Sequence, residues 1–297
     1  MSFGTALRRK FNKLCATKGA YARETDLFQR LVEAFVELGK NKSWKIAQIH
    51  GKRWCVKFDD TDTSTSKKFY WGAGGDTTCE LGDLLFLVID KENNMARISV
   101  MQNKYDRKKH FNYSFLAQMN QLYLLKERPV FTYETNKKNM LKEAKIPSIG
   151  NYGVFRKNKF ENSFEMAYYS ADCLERTKCS KPKSKRVVKL REEKRRNKIG
   201  DYEQQNFCRN LTEFGDALIG MRIGEPMSIY ESMVALNNID VLEELRQNWN
   251  IYVDYPIDKD RLANHQANKK WYSITAREII LLRGHREPMA KIIEDDK

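Results

Sequence analysis

Three polar side chains interrupt two apolar runs in residues 79–109, CELGDLLFLVIDKENNMARISVMQNKYDRKK. Asp83 opens the first run. KENN separates the runs as a hairpin-type turn. The second run ends in Gln102-Asn103-Lys104. Side chains alternate along a strand, so Ala96, Ile98, Val100, Gln102 and Lys104 share one face. On that face core residues give way to an amide and an ammonium. An antiparallel pairing around KENN sets Asp83 near the end of its strand, roughly beside Lys104.

Carboxylate, amide and main-chain oxygens are hard ligands suited to Mg²⁺ or Mn²⁺. A lysine beside them can orient or help deprotonate a water and stabilise charge on a phosphate. Those parts suffice for phosphodiester hydrolysis. Singly, each residue has a plainer role: Asp83 starting a strand, Lys104 snorkelling from an edge, Gln102 pairing with backbone. The three in phase, led in by apolar residues, point to a site.

The elements around them read as an α/β chain. Residues 6–38 are expected to be helical with a break near Gly19, and Thr25 to cap the second helix. There Leu27, Phe28, Leu31, Val32, Phe35 and Leu38 form one stripe. Strands are expected in SWKIAQIHG, KRWCVKFDD and KKFYWG. GAGGDTT lacks the lysine of a phosphate-binding loop and reads as a turn. DLLFLVID is apolar on both faces, as in a doubly covered central strand. SFLAQMNQLYLLKE reads as a helix stopping before Pro129. Strands followed by a helix indicate a mixed sheet.

Beyond Pro147 an aromatic hairpin and short helix are expected. Tyr152, Phe155, Tyr168 and Tyr169 in it suit packing better than base stacking. Residues 201–224 read as an amphipathic helix closed by Gly224 and Pro226, its stripe directed to the core. Further helices are expected over 228–250, then a charged, fraying end. The expected organisation is a core with N-terminal helices at 1–145, an aromatic extension at 146–175, a basic segment at 176–200 and a helical region at 201–297.

At this point the residues carry a resemblance. Asp83, an 18-residue gap and Gln102-x-Lys104 resemble the PD-(D/E)xK nuclease superfamily, in the Q-x-K form of its Mrr-like restriction branch. The resemblance spans about residues 20 to 130. It implies a restriction-endonuclease-like α/β core with a mixed central sheet flanked by helices, followed by a smaller α+β and helical extension. Asp83 would bind Mg²⁺ or Mn²⁺, Gln102 would complete the site, and Lys104 would act on water and phosphate. Glu80 would supply a further ligand or contact. Members of the superfamily also recruit a glutamate from the helix before the sheet, a role that falls here on Glu24. Two features depart from the pattern: Gly82 stands where the superfamily has proline, and Gln102 carries no charge. ELGDLLFLV, MQNKY, QLYLLKERPVF and YGVFRKNKFENSFEMAYYSAD are also similar to nuclease components of bacterial antiphage defence systems, of the Lamassu and Cap-nuclease types. That similarity implies an effector subunit with protein partners.

The 297 residues carry a net charge of +15, which favours polyanionic partners. Residues 176–198 hold 12 Lys/Arg and two Glu, and so contribute +10 of it. This run is either a solvated linker or an arm that tracks phosphates, with Lys185, Arg186, Lys189, Arg191, Arg195 and Arg196 as its contacts. Duplex DNA is the expected substrate. No apolar run approaches 18 residues, so no membrane span is expected. The N-terminus has no apolar h-region, so no secretory signal is expected. Six scattered cysteines read as reduced thiols in a cytoplasmic protein, and without a C-x-x-C pair and with only four histidines no zinc knuckle is expected. Two rivals to a nuclease remain: a fold that holds DNA without cutting it, and a scaffold whose basic run meets a partner.

Overall fold

The computed structural model describes residues 1–17, 23–39, 46–49, 55–59, 76–90, 93–106, 114–129, 131–133, 136–138, 149–158, 163–176, 187–192, 198–199, 202–232 and 277–284. In chain order, helices α1 (Phe3–Thr17) and α2 (Glu24–Gly39) precede strands β1 (Ile46–Ile49), β2 (Cys55–Asp59), β3 (Asp76–Glu80), β4 (Leu84–Asp90), β5 (Met95–Asp106) and β6 (Ser114–Gln118). Helix α3 (Met119–Glu127) leads to β7 (Phe131–Tyr133), β8 (Asn136–Lys138), β9 (Gly150–Asn158) and β10 (Ser163–Ser170). After a 3₁₀ turn at Ala171–Cys173 come β11 (Leu174–Arg176), β12 (Val187–Glu192), β13 (Lys198–Ile199), β14 (Tyr202–Glu203) and β15 (Phe207–Cys208). Helix α4 (Leu211–Ile219), β16 (Glu225–Ser228) and β17 (Arg277–Gly284) follow.

The protein is a mixed α/β structure around one large sheet, ordered β1-β17-β4-β5-β9-β10-β15. The β1–β17 and β5–β9 pairs are parallel, while the others along this path are antiparallel. Besides β4, strand β5 is long enough to serve two more partners: β16 along Met95–Ile98 and β9 along Val100–Asp106. Residues 91–94 join the antiparallel pair β4–β5, and Asn93 and Asn94 lie in a turn, as the sequence indicates. All of β4 is buried, which is why both its faces are apolar.

Alternation along β4 and β5 divides the core into two layers. Leu84, Phe86, Val88 and Met101 face α1, α2 and α4. Leu85, Leu87, Ile89, Ala96, Ile98 and Val100 face α3, Phe115 and Phe131. Phe86 stacks its edge on Phe214 (5.7 Å) and meets Phe35 (5.8 Å), tying α2 and α4 to the sheet. Leu7, Phe11 and Cys15 recur every fourth residue and form the buried face of α1. Where α1 crosses α4, Gly4 lies so close that an added Cβ would sit 1.9 Å from the Thr212 carbonyl oxygen. Gly4 N–H also donates to Asp216 Oδ1 at 2.7 Å.

Several sequence expectations are revised by pairing. Thr25 lies inside the first turn of α2, and the Asp26 carboxylate accepts from Arg23 N–H at its start. Asp76-Thr77-Thr78 belongs to β3 instead of a turn, because β2 offers it a full antiparallel register. Residues 114–118 form a strand ahead of α3: Phe115 and Ala117 are buried and Leu116 is 55% exposed, a period of two. The aromatic hairpin forms β9 and β10, which extend the central sheet itself. Tyr152, Phe155, Tyr168 and Tyr169 are fully buried there, as packing residues. The helix expected over 201–224 is confined to α4, capped by Asn210, whose side chain accepts from Glu213 N–H. Its apolar side is covered by α1 and β10. Within the end expected to fray, Arg277–Gly284 forms β17, inserted between β4 and β1, while residues 251–276 and 285–297 lie outside the described residues. Strand KKFYWG and the helices expected over 233–250 lie outside the described residues; 229–232 forms a helical turn.

Candidate functional site

The ladder between β4 and β5 starts at the pair Leu84↔Met101, so β5 runs on past β4 as Gln102–Asp106. On this overhang alternate N–H groups point to β9 or to the side β4 has vacated. Two carboxylates take the places of the missing strand carbonyls. Asp83 Oδ2 accepts from Asn103 N–H at 2.6 Å, and Glu24 Oε2 accepts from Tyr105 N–H at 3.0 Å. Asp83 is fixed by its own N–H, which donates to Met101 O at 3.0 Å. The preceding Gly82 suits this approach, since a Cβ there would sit 2.7 Å from Val100 Cγ1. That contact gives a physical reason for glycine at the position before Asp83.

Asp83 and Gln102 are 6% and 3% exposed. Gln102 Nε2 donates to Asp83 Oδ2 at 2.6 Å, and Gln102 Oε1 accepts from Gln121 Nε2 at 3.1 Å. Asp83 therefore stands beside Gln102 and Asn103, two positions short of the expected place beside Lys104. Lys104, 13% exposed, lies 3.5 Å from Glu24 Oε1. Glu24 comes from the first turn of α2, on the opposite layer, and reaches around the end of the sheet. Its side chain is 42% exposed, so this cluster opens to solvent on the Glu24 side.

Burial pushes the Asp83 carboxyl up to about 6; the Lys104 charge and the Asn103 N–H oppose the shift, and Glu24 and Glu80 add to it. Burial and two neighbouring carboxylates outweigh one lysine, so the cluster is short of positive charge. Glu80, at the end of β3, acts on Asp83 through this field; no direct bond between them is seen.

The donor set fits a hard cation in part. Asp83 and Glu24 supply carboxylates, and Asp83 Oδ1 lies outside both bonds described. Gln102 presents its nitrogen to Asp83, however, and its oxygen to Gln121. Among the described residues no group of three His, Cys, Asp or Glu is arranged to hold a metal ion. With Gln102 in place of an acid, a cation here would depend on Asp83, Glu24, an amide or backbone oxygen, and water or phosphate.

Gln121 and the Asn103 backbone are the contributors that sequence reasoning missed. Gln121 had one signal: it adjoins the apolar run Leu122–Leu125, and it is the buried polar side chain of a helix whose Met119, Leu122, Tyr123, Leu124 and Leu125 are also buried. Of the basic segment, Val187–Glu192 is a strand between β6 and β11 with Leu190 buried. Arg191 is exposed and paired with Glu175. Lys189 lies in β12, while Lys185, Arg186, Arg195 and Arg196 fall outside the described residues. Among the described residues no helix is long and apolar enough to cross a membrane. No protein family, no curated protein and no solved structure matches the chain.

Proposed function

We propose that the chain is a metal-dependent endonuclease that hydrolyses DNA phosphodiester bonds, on a restriction-endonuclease-like core of the PD-(D/E)xK type. Its setting would be a cytoplasmic multi-protein antiphage defence complex, with double-stranded DNA as substrate. One observation carries this reading: Asp83, Gln102, Lys104 and Glu24, drawn from three elements, converge where β5 outruns β4. Glu80 acts on the same point through its charge.

Asp83, Glu24 and Gln102 would hold Mg²⁺ or Mn²⁺, whose bound form lowers the pKa of water and neutralises phosphate charge. Lys104 would donate to a phosphate oxygen and stabilise charge gathering there. Glu24 orients that ammonium. The Asn103 N–H and the buried layer beneath keep Asp83 from turning away. The basic segment around β12 would add phosphate contacts that carry no sequence information.

Cleavage of supercoiled and linear plasmid, with Mg²⁺, Mn²⁺ or EDTA, tests this reading on wild type and Lys104→Ala. Metal-dependent cutting that falls at least about a hundredfold in the variant is expected. Cutting that survives both Lys104→Ala and Asp83→Ala sinks the assignment. A second reading, DNA binding without cutting, draws on the lack of a three-acid group among the described residues. Salt-sensitive binding with no turnover, even with co-purifying subunits added, would favour it.

A further inference from the structure

The Gln102 amide is held from both ends. Its Nε2 donates to Asp83 Oδ2 at 2.6 Å, and its Oε1 accepts from Gln121 Nε2 at 3.1 Å. So arranged, Gln102 offers the Asp83 side only hydrogens and cannot ligate a cation there. Gln121 is 6% exposed, and its own Oε1 is buried with no hydrogen-bond partner. A methionine or leucine would fill this helix position without burying an idle acceptor. The idle acceptor comes with a donor for the buried Gln102 Oε1, so the residue answers to Gln102 and not to packing alone.

A half-turn about its last torsion exchanges the oxygen and nitrogen of a primary amide. If Gln102 and Gln121 both turn, Gln102 Nε2 donates to Gln121 Oε1, which gains the partner it lacks. Gln121 Nε2 takes the place Oε1 leaves and gives up its own acceptor, so the exchange is driven by the cation and not by the amide pair. Gln102 Oε1 then faces Asp83 Oδ2 across a gap now closed by a hydrogen bond. Two oxygens so close repel each other unless a cation stands between them, and paired oxygens are what a hard divalent ion selects. Only a side chain with both a donor and an acceptor serves Gln102 in both orientations.

We propose that Gln121 is a positioning residue for the metal site: it holds the Gln102 nitrogen toward Asp83 in the metal-free chain, and accepts from that nitrogen once a divalent cation draws Gln102 Oε1 to Asp83. The proposal rests on the reading that Asp83 and Gln102 hold the cation.

The test is solution NMR of the full chain labelled with ¹⁵N-glutamine, with the Gln102 amide signal identified by its loss in Gln102→Met. In the metal-free chain the Gln102 NH₂ protons show cross-peaks to Asp83 Hβ. On saturation with Mg²⁺ these are expected to disappear and cross-peaks to Gln121 Hγ to strengthen. Calorimetric titration with Mn²⁺ supplies a second readout. Gln121→Glu can only accept, so it presets the turned state and is expected to tighten Mn²⁺ about tenfold, the size of an outer-shell effect. Most of that gain should vanish in a Gln102→Met background, where only the added charge remains. An unchanged Gln102 pattern at Mg²⁺ saturation, or an equal gain in both backgrounds, overturns the role of Gln121 and leaves the metal site standing. A wild-type chain that neither binds Mn²⁺ nor shifts any signal with Mg²⁺ overturns the metal site and this proposal together.

Discussion

Asp83 and Glu24 cap successive open N–H groups on one strand edge, the first at Asn103 (2.6 Å) and the second at Tyr105 (3.0 Å). Each carboxylate thus closes the sheet as well as charging the candidate site. Removing the acceptor and removing the charge are separate experiments.

For Glu24 they separate cleanly. Glu24→Gln keeps an oxygen for Tyr105 N–H and is expected to cost under about 0.5 kcal/mol of stability, while Glu24→Ala costs about 1 kcal/mol. Both variants should lose Mn²⁺ affinity to a similar extent, since both lose the charge. Urea unfolding and calorimetric titration on the same preparations check this. Full Mn²⁺ affinity in Glu24→Gln would remove Glu24 from the metal set.

Asp172 gives a pH test apart from the site. Burial raises its carboxyl to about 6, against the pull of Arg128 and Lys126 and with a push from Glu127. Arg128 Nη1 lies 3.6 Å away. The folded carboxyl keeps its proton between about pH 4 and 6, where the unfolded one has lost it. Stability therefore falls as pH rises through that window, by at most about 1.4 kcal/mol per unit from this group. Asp83 contributes in the same direction. Urea midpoints from pH 4 to 7 should show a shallower decline in Asp172→Asn than in wild type.

The core predicts its own weak points. Phe86→Ala empties the contact shared by Phe35 and Phe214 and should cost about 3–5 kcal/mol. Gly4→Ala drives a methyl group into the Thr212 carbonyl and should cost about 1–3 kcal/mol by forcing α1 from α4. Denaturant unfolding measures both.

Glu175 partly neutralises the basic face of β12 by pairing with Arg191. Glu175→Gln should free that guanidinium for phosphate. DNA affinity is then expected to rise at low salt, and the slope of log affinity against log salt to steepen by up to about 1. Filter binding between 50 and 200 mM salt, values of the usual range for such slopes, reads both effects.

What was legible in the sequence is local. The β4–β5 hairpin follows from two apolar runs and a polar turn, and its alternation puts Gln102 and Lys104 on one face. The stripe of α2 is equally plain. Register was the weaker part: the ladder begins one pair before Gln102, which sets Asp83 beside the amide instead of the lysine. The reach of Glu24 is tertiary, because it depends on where α2 starts against the sheet. Strand β6 was hidden because its residues continue into α3 with no glycine or proline between them. Strand β17 was hidden because REIILLRG is a short apolar run between charges, and only β4 and β1 decide what it becomes. Gln121 takes its meaning from a partner on another element.

The insertion of β17 beside β4 has a temporal consequence. Asp90 pairs with Arg277, about 190 residues later in the chain. At the usual pace of synthesis the ribosome needs roughly 10 to 40 s to travel that distance. Throughout that interval the strand that leads out of Asp83 has one neighbour and one bare edge. Loop closure over so long a separation is slow, and such an edge recruits other chains. The candidate catalytic hairpin is thus made early and sealed late, and a nascent or truncated chain that stops before β17 carries the site residues on an unfinished sheet.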